Sequence, residues 1–259
     1  MLSYQHAYHA GNLADVHKHA LLAEALDYLV QKPKPLSYIE THAGRALYDL
    51  SGTEATKTGE AAQGIRRAEP WFAPDHPYRR ALEAARARGG SAAYPGSPLI
   101  ARTLLRPEDS LTLAELHPQE EAALRAALPG VTVKKADGPA LALSMAPPEP
   151  RRGLILVDPS YEVKTEWRQM PKLVGQLHRK WPVGVILLWY PILASGAHRE
   201  LTRGLDALGI TDAIRHEVRF PPAREGHGMQ GSGLYAVNPP WGWDAAAARL
   251  AKRFAALRP

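Results

Sequence analysis

One stretch, Arg151–Tyr161 (RRGLILVDPSY), limits what this chain can fold into more than any other. Gly153–Val157 is short and wholly apolar, and Asp158-Pro159-Ser160-Tyr161 follows it directly. Such a run, stopped by proline, has the pattern of a strand buried on both faces, as in the middle of a parallel sheet. Pro159 has no N–H to give to a ladder, so the strand ends there. Asp158 is then set at the carboxyl end of a central strand, where open α/β sheets hold their ligands. The Asp158 carboxylate, the Pro159 carbonyl and the Tyr161 ring suit an exocyclic amino group on a flat ring. The oxygens accept its N–H bonds and the aromatic side chain stacks on the base. A strand-ending Asp in a plain turn is the competing reading, and the rest of the chain has to decide.

Leu36–Glu40 (LSYIE) reads as the first strand, and Thr41-His42-Ala43-Gly44-Arg45 as the turn where a Rossmann-like sheet meets a nucleotide cofactor. Gly44 stands alone, with no G-x-G-x-x-G and no P-loop in the chain. That argues against a dinucleotide or nucleoside triphosphate and leaves room for a cofactor without phosphates. Ser110–Leu116 (SLTLAEL) carries Glu115 near its end, where a ribose-binding acid belongs, but far beyond the usual spacing from Gly44. An insertion resolves this. Leu47–Ala93 is rich in Ala, Arg and Gly without a strong strand, so 46–93 reads as an inserted helical subdomain, with 1–45 and 94–259 forming one split α/β domain. Tyr94-Pro95-Gly96-Ser97-Pro98 then opens a helix, Leu99–Leu105, with Ser97 as N-cap and Pro98 first.

Val131–Ala136 is the third strand and ends in Asp137-Gly138, where the carboxylate can accept from a cofactor adenine or simply form a turn. Val183–Trp189, Ile214–Phe220 and Gly233–Val237 complete the strands, with helices at His198–Leu208 and Asp244–Leu257. Pro221–Ser232, ending in GMQGSG, reads as a mobile functional loop. Asn238-Pro239-Pro240-Trp241 rivals Asp158-Pro159-Ser160-Tyr161 for the amine by its letters, but it closes the last strand and reads as a structural helix entry.

At the start, Gly11 and Asn12 open a helix with Leu13, Val16, Ala20, Ala23 and Leu26 on successive turns, stopped by Lys32-Pro33-Lys34-Pro35. His6, His9, His17 and His19 invite a metal reading. Residues two apart on a helix point to different faces, however, and no carboxylate completes a set, so no metal is expected.

The formal charge of +6 points to a polyanionic partner, most simply nucleic acid, met by a basic face. Arg66, Arg67, Arg79, Arg80, Arg86 and Arg88 in the insertion are either an RNA-facing lobe or a solvated helix surface. The absence of cysteine excludes disulfides, thiolate metal sites and cysteine nucleophiles. MLSYQHAYHAGN lacks a secretory pattern, and Val183–Ala194, broken by Pro191, falls short of the ~20 residues of a membrane helix. A cytoplasmic protein is expected, and nothing in the sequence calls for more than a monomer.

The opening block with its HAGNxADVxKH core, ETHAG at 40–44, YPGSPLIA at 94–101, ELHP at 115–118, KADG at 135–138 and RRGLILVDPSY together resemble the RlmJ family. These are 23S ribosomal RNA adenine N6-methyltransferases that use S-adenosylmethionine. The resemblance runs from Met1 to Trp241 and implies a Rossmann-like methyltransferase fold with a small helical insertion. It implies cofactor contacts from His19, His42, Ser97, Glu115, Asp137 and Gly138, Asp158 as catalytic acceptor, and Tyr4 at the substrate adenosine with Lys18 beside it. Two positions depart from the pattern: Arg45 follows Gly44 where a small residue is common, and Ser160 stands in place of a second proline. A DNA adenine methyltransferase and a noncatalytic RNA-binding protein with this fold are the alternatives.

Overall fold

The computed structural model describes residues 6–222, 226 and 228–257. Nine strands form: β1 (Ser37–Glu40), β2 (Leu47–Asp49), β3 (Ala93–Pro95), β4 (Ser110–Ala114), β5 (Thr132–Lys134), β6 (Gly153–Val157), β7 (Val185–Leu193), β8 (Ala213–Arg219) and β9 (Met229–Val237). Seven make one sheet in the order β5-β4-β1-β6-β7-β9-β8, with β2 and β3 paired separately. The β5-to-β7 part is parallel throughout, while β9 runs antiparallel to both neighbours. Two apolar clusters cover the two faces of the sheet. This is the Rossmann-like α/β arrangement the apolar runs call for: β6 is buried at all five positions, as a strand between two parallel partners must be.

Several boundaries differ from the sequence pattern for physical reasons. β7 continues through Pro191 to Leu193, because β6 pairs with it only as far as Leu188 and leaves that side without a ladder partner. β9 starts at Met229, so most of the GMQGSG segment is strand rather than loop. Its glycines serve close packing: a Cβ on Gly233 would stand 2.2 Å from the Tyr190 ring. Ala223, Arg224, Glu225 and His227 of the expected loop lie outside the described residues, as does Tyr4.

The N-terminal helix α1 (Leu13–Val30) begins where Asn12 accepts the Asp15 N–H through its side chain at 2.8 Å. It is covered on nearly every side, and Leu21, Leu22 and Leu26 are fully buried, each worth about 1.5–3 kcal/mol. The insertion is not all helical, since β2 pairs antiparallel with β3 and closes its base. Nor does it have a core of its own. Ala61, Ile65, Phe72, Tyr78 and Leu82 join the cluster that includes Leu21 and Leu22, and Ile65 N–H donates to Gly11 O at 2.7 Å. Among the described residues no helix is long and apolar enough to cross a membrane.

Candidate active site

Parallel pairing brings the ends of β1, β4, β5 and β6 to one edge, and with them Glu40, Glu115, Asp137 and Asp158. Asp158 follows Val157 directly and is half-buried. Its Oδ2 receives a hydrogen bond from Lys18 Nζ at 2.6 Å, and Oδ1 has no partner among the described residues. Lys18 is only 4 % exposed and also stands 3.3 Å from Asp15 Oδ1. Burial alone would push the ammonium down, but the Asp158 and Asp15 carboxylates override it and hold Lys18 above its ordinary value. Asp15 is itself fixed by the Gly11 N–H at 2.9 Å and by His6 Nε2 at 2.8 Å.

Tyr161 has φ +57°, a strained conformation for a bulky residue that costs about 1–3 kcal/mol. Its environment enforces it: the ring stacks on Trp167 with centroids 4.2 Å apart, and the hydroxyl donates to Trp189 O at 2.7 Å. One face of the ring is therefore already covered. Pro159 is buried beside Asp158.

Toward β4 and β5, Glu115 accepts the Gly44 N–H on one oxygen and the His117 N–H on the other, both at 2.7 Å. Asp137 caps the helix Gly138–Met145 by accepting the Ala140 N–H at 2.9 Å, and it remains exposed. Gly138 lies so close to β1 that a Cβ would fall 1.7 Å from Thr41 O. Burial pushes His42 down to about 4, against the pull of Asp158 and Asp137, so its ring is neutral. Arg45 is tied into a two-pronged pair with Glu120 at 2.9 and 2.6 Å.

Ser97 does not cap its helix: Gly96 holds that position, while Ser97 Oγ donates to Glu40 Oε1 at 2.5 Å. Glu40 is the site residue the strand pattern hid. It is fully buried, also accepts the Tyr38 hydroxyl at 2.9 Å, and is pushed up to about 8 by burial, with Asp158 adding to the shift. His19 is 1 % exposed, pairs through Nδ1 with the Tyr94 hydroxyl at 2.9 Å, and is pushed down to about 3 by burial. In this structure His19 and Ser97 are bonded within the chain and form fixed wall.

The rival tetrapeptide lies elsewhere. Val237 pairs with Ile186, near the start of β7, whereas Val157 pairs with Leu188 farther along it, and β9 runs the opposite way. Asn238 is spent on the Pro182 and Gly184 carbonyls at 2.9 and 2.8 Å, and Trp241 is 84 % exposed. No group of three or more His, Cys, Asp or Glu among the described residues is placed to hold a metal ion.

A family model described as ribosomal RNA large subunit methyltransferase D, RlmJ, matches residues 33–256. The ribosomal RNA large subunit methyltransferase J of Escherichia coli strain K12 is 39 % identical over 249 residues, covering 93 % of this chain and 88 % of that protein. Its namesake in Haemophilus influenzae is 38 % identical over 250 residues with the same coverage. A solved structure from Legionella pneumophila is similar over 95 % of this chain and 92 % of its own, with TM-score 0.84 and 34 % identity.

Proposed function

The chain belongs to the ribosomal RNA large subunit methyltransferase J family, and from that membership we propose that it transfers a methyl group from S-adenosylmethionine to the exocyclic N6 of an adenine in 23S ribosomal RNA. The observation that carries the chemistry is the state of Asp158. One carboxylate oxygen is held by a buried lysine and the other has no partner among the described residues, at the carboxyl end of the central strand.

The strand-end residues fit the cofactor. Glu115 keeps lone pairs for ribose hydroxyls after taking two backbone N–H bonds, and Asp137 has an oxygen left for the adenine amine. Gly138 lets the chain at Asp137 close on Thr41, and a neutral His42 adds no charge beside a cationic sulfonium. His19 and Ser97 back this wall. Bound here, S-adenosylmethionine supplies an electrophilic methyl group on its sulfonium.

The residues of this chain act on the amine. Asp158 Oδ1 and the Pro159 carbonyl accept the two N6 hydrogens, drawing the nitrogen out of conjugation with the ring and toward the pyramidal geometry it needs to attack. With Lys18 holding its other oxygen, Asp158 orients the amine, and the proton leaves to solvent after transfer. Tyr161, 8 % exposed and stacked on Trp167, props the Asp158-Pro159 turn from behind. Lys18 acts on the substrate through Asp158. Tyr4, outside the described residues, is assigned to the adenosine by the family resemblance alone, and the adenosine must leave its stack to enter.

Incubating the protein with labelled S-adenosylmethionine and equal amounts of unmodified 23S RNA and DNA, then digesting both polymers, tests this reading. Label in N6-methyladenosine from RNA is expected. Label confined to DNA would establish the alternative substrate, and S-adenosylmethionine binding without transfer to either polymer would favour a noncatalytic protein.

A further inference from the structure

Trp189, on β7, touches two residues of the Asp158 site. Its ring lies against the Lys18 ammonium, with Nζ 5.2 Å from the centroid. Its carbonyl accepts the Tyr161 hydroxyl at 2.7 Å, and the two rings are 6.1 Å apart. A ring attracts an ammonium through its face and not its edge, so the orientation of the indole sets the pull on Lys18.

That orientation is fixed by a hydrogen-bond chain leading away from the site. Trp189 Nε1 donates to Ser232 Oγ at 2.9 Å. Ser232 Oγ is 2.8 Å from His17 Nδ1, and His17 Nε2 is 2.9 Å from His216 Nδ1. Ser232 and His17 are fully buried.

One direction is fixed at the Trp189 end: an indole N–H can only donate, so Ser232 Oγ accepts it. Burial holds both histidines below their ordinary value, with His216 adding to the effect on His17. A neutral imidazole has one donor and one acceptor nitrogen, so the bond between His17 Nε2 and His216 Nδ1 requires the two rings to carry their protons on matching nitrogens, both Nε2 or both Nδ1.

We infer that Trp189 is a positioning residue for methyl transfer, held face-on to Lys18 by a hydrogen-bond chain through Ser232 to the His17–His216 pair. The inference rests on the adenine-methylating reading of the Asp158 site.

The test compares Ser232→Ala, Trp189→Phe and Trp189→Leu with the wild type. Single-turnover transfer to RNA and S-adenosylmethionine affinity are measured at a temperature where each protein is folded. Imidazole ¹⁵N spectra of the wild type report the tautomers. Ser232→Ala leaves every group at the reacting end in place, and its transfer rate should fall about tenfold with cofactor affinity unchanged. Trp189→Leu should fall further, about a hundredfold, and Trp189→Phe should recover part of that by restoring a ring. A purely structural role would lower the melting temperature and leave the rate of the folded protein alone. His17 and His216 should carry their protons on matching nitrogens, both Nε2 or both Nδ1. Wild-type rates in folded Ser232→Ala and Trp189→Phe would overturn the inference even if Trp189→Leu failed to fold, and unlike tautomers of His17 and His216 would overturn the chain. Absence of wild-type transfer would instead count against the adenine-methylating reading and remove the inference with it.

Discussion

Lys18 Nζ stands 2.6 Å from Asp158 Oδ2, joining the middle of the N-terminal helix to the end of the central strand across 140 residues of sequence. Both side chains are largely shielded from water, at 5 % and 11 % exposure. The pair ties the fold's first helix to the sheet edge where we place the reaction, so changes there should act on stability and chemistry together.

Asp158→Asn keeps the shape of the side chain and removes its charge, leaving Lys18 with Asp15 alone. The loss should be about 3 kcal/mol, at the low end for breaking a buried pair because Asp15 remains. Lys18→Met strands the carboxylate and should cost about as much. In urea unfolding the double variant Lys18→Met/Asp158→Asn should lose less than the sum of the single losses, and additive losses would refute the coupling.

Stability should peak near pH 6.5. Glu40 is pushed up to about 8, so between pH 8 and 6.5 the folded chain gains a proton that the unfolded chain does not, and stability rises as pH falls. His17, His19 and His42 are shifted down, His19 to about 3 and His42 to about 4, from an ordinary 6.5. Below 6.5 the unfolded chain takes up protons on these rings first, and their contribution outweighs the single one from Glu40. Stability then falls with pH. Urea midpoints at pH 5, 6.5 and 8 trace this curve, and Glu40→Gln should remove the decline from 6.5 to 8.

Gly138→Ala has no room, since its Cβ would meet Thr41 O at 1.7 Å. The helix start must back away from β1, at a cost of about 1–3 kcal/mol. Because Asp137 moves with it, calorimetry should show weaker S-adenosylmethionine binding, and unchanged affinity would remove Asp137–Gly138 from the cofactor site.

The insertion's arginines should divide in two. Arg79 and Arg86 are bound to Glu69, and Arg80 is paired with Asp27, so their loss should lower the melting temperature more than RNA affinity. Arg66 and Arg67 are exposed and form no ion pair among the described residues. Reversing both to Glu should weaken RNA binding and flatten the salt dependence by about 0.7 per lost phosphate contact. Binding titrations at three salt concentrations read the slope.

The central strand and its Asp158 ending were legible because a five-residue apolar run cut off by proline has few other homes. The late position of Glu115 suggests an insertion at 46–93, but β2 is too short to stand out in the sequence, and residues 61–82 share the core of α1 rather than forming their own. Contacts were not legible where distant segments meet. Glu40 looked like the last letter of a strand, and only the approach of Ser97 and Tyr38 reveals a carboxyl group held in the interior. Ser97 carried a capping signal, but Gly96 holds the cap position and the Ser97 hydroxyl goes to the buried Glu40. Lys18 stood beside the substrate adenosine through the resemblance alone, and its bond to Asp158 shows only where the two segments meet.

Single-turnover methyl transfer by Asp158→Ala, with S-adenosylmethionine affinity measured on the same preparation, tests the central claim most directly. If Asp158 orients the adenine amine, formation of N6-methyladenosine in 23S RNA should fall by about 10³-fold or more while cofactor affinity stays near that of the wild type. N6-methyladenosine formed at the wild-type rate by Asp158→Ala would contradict the account and place the amine-binding site elsewhere.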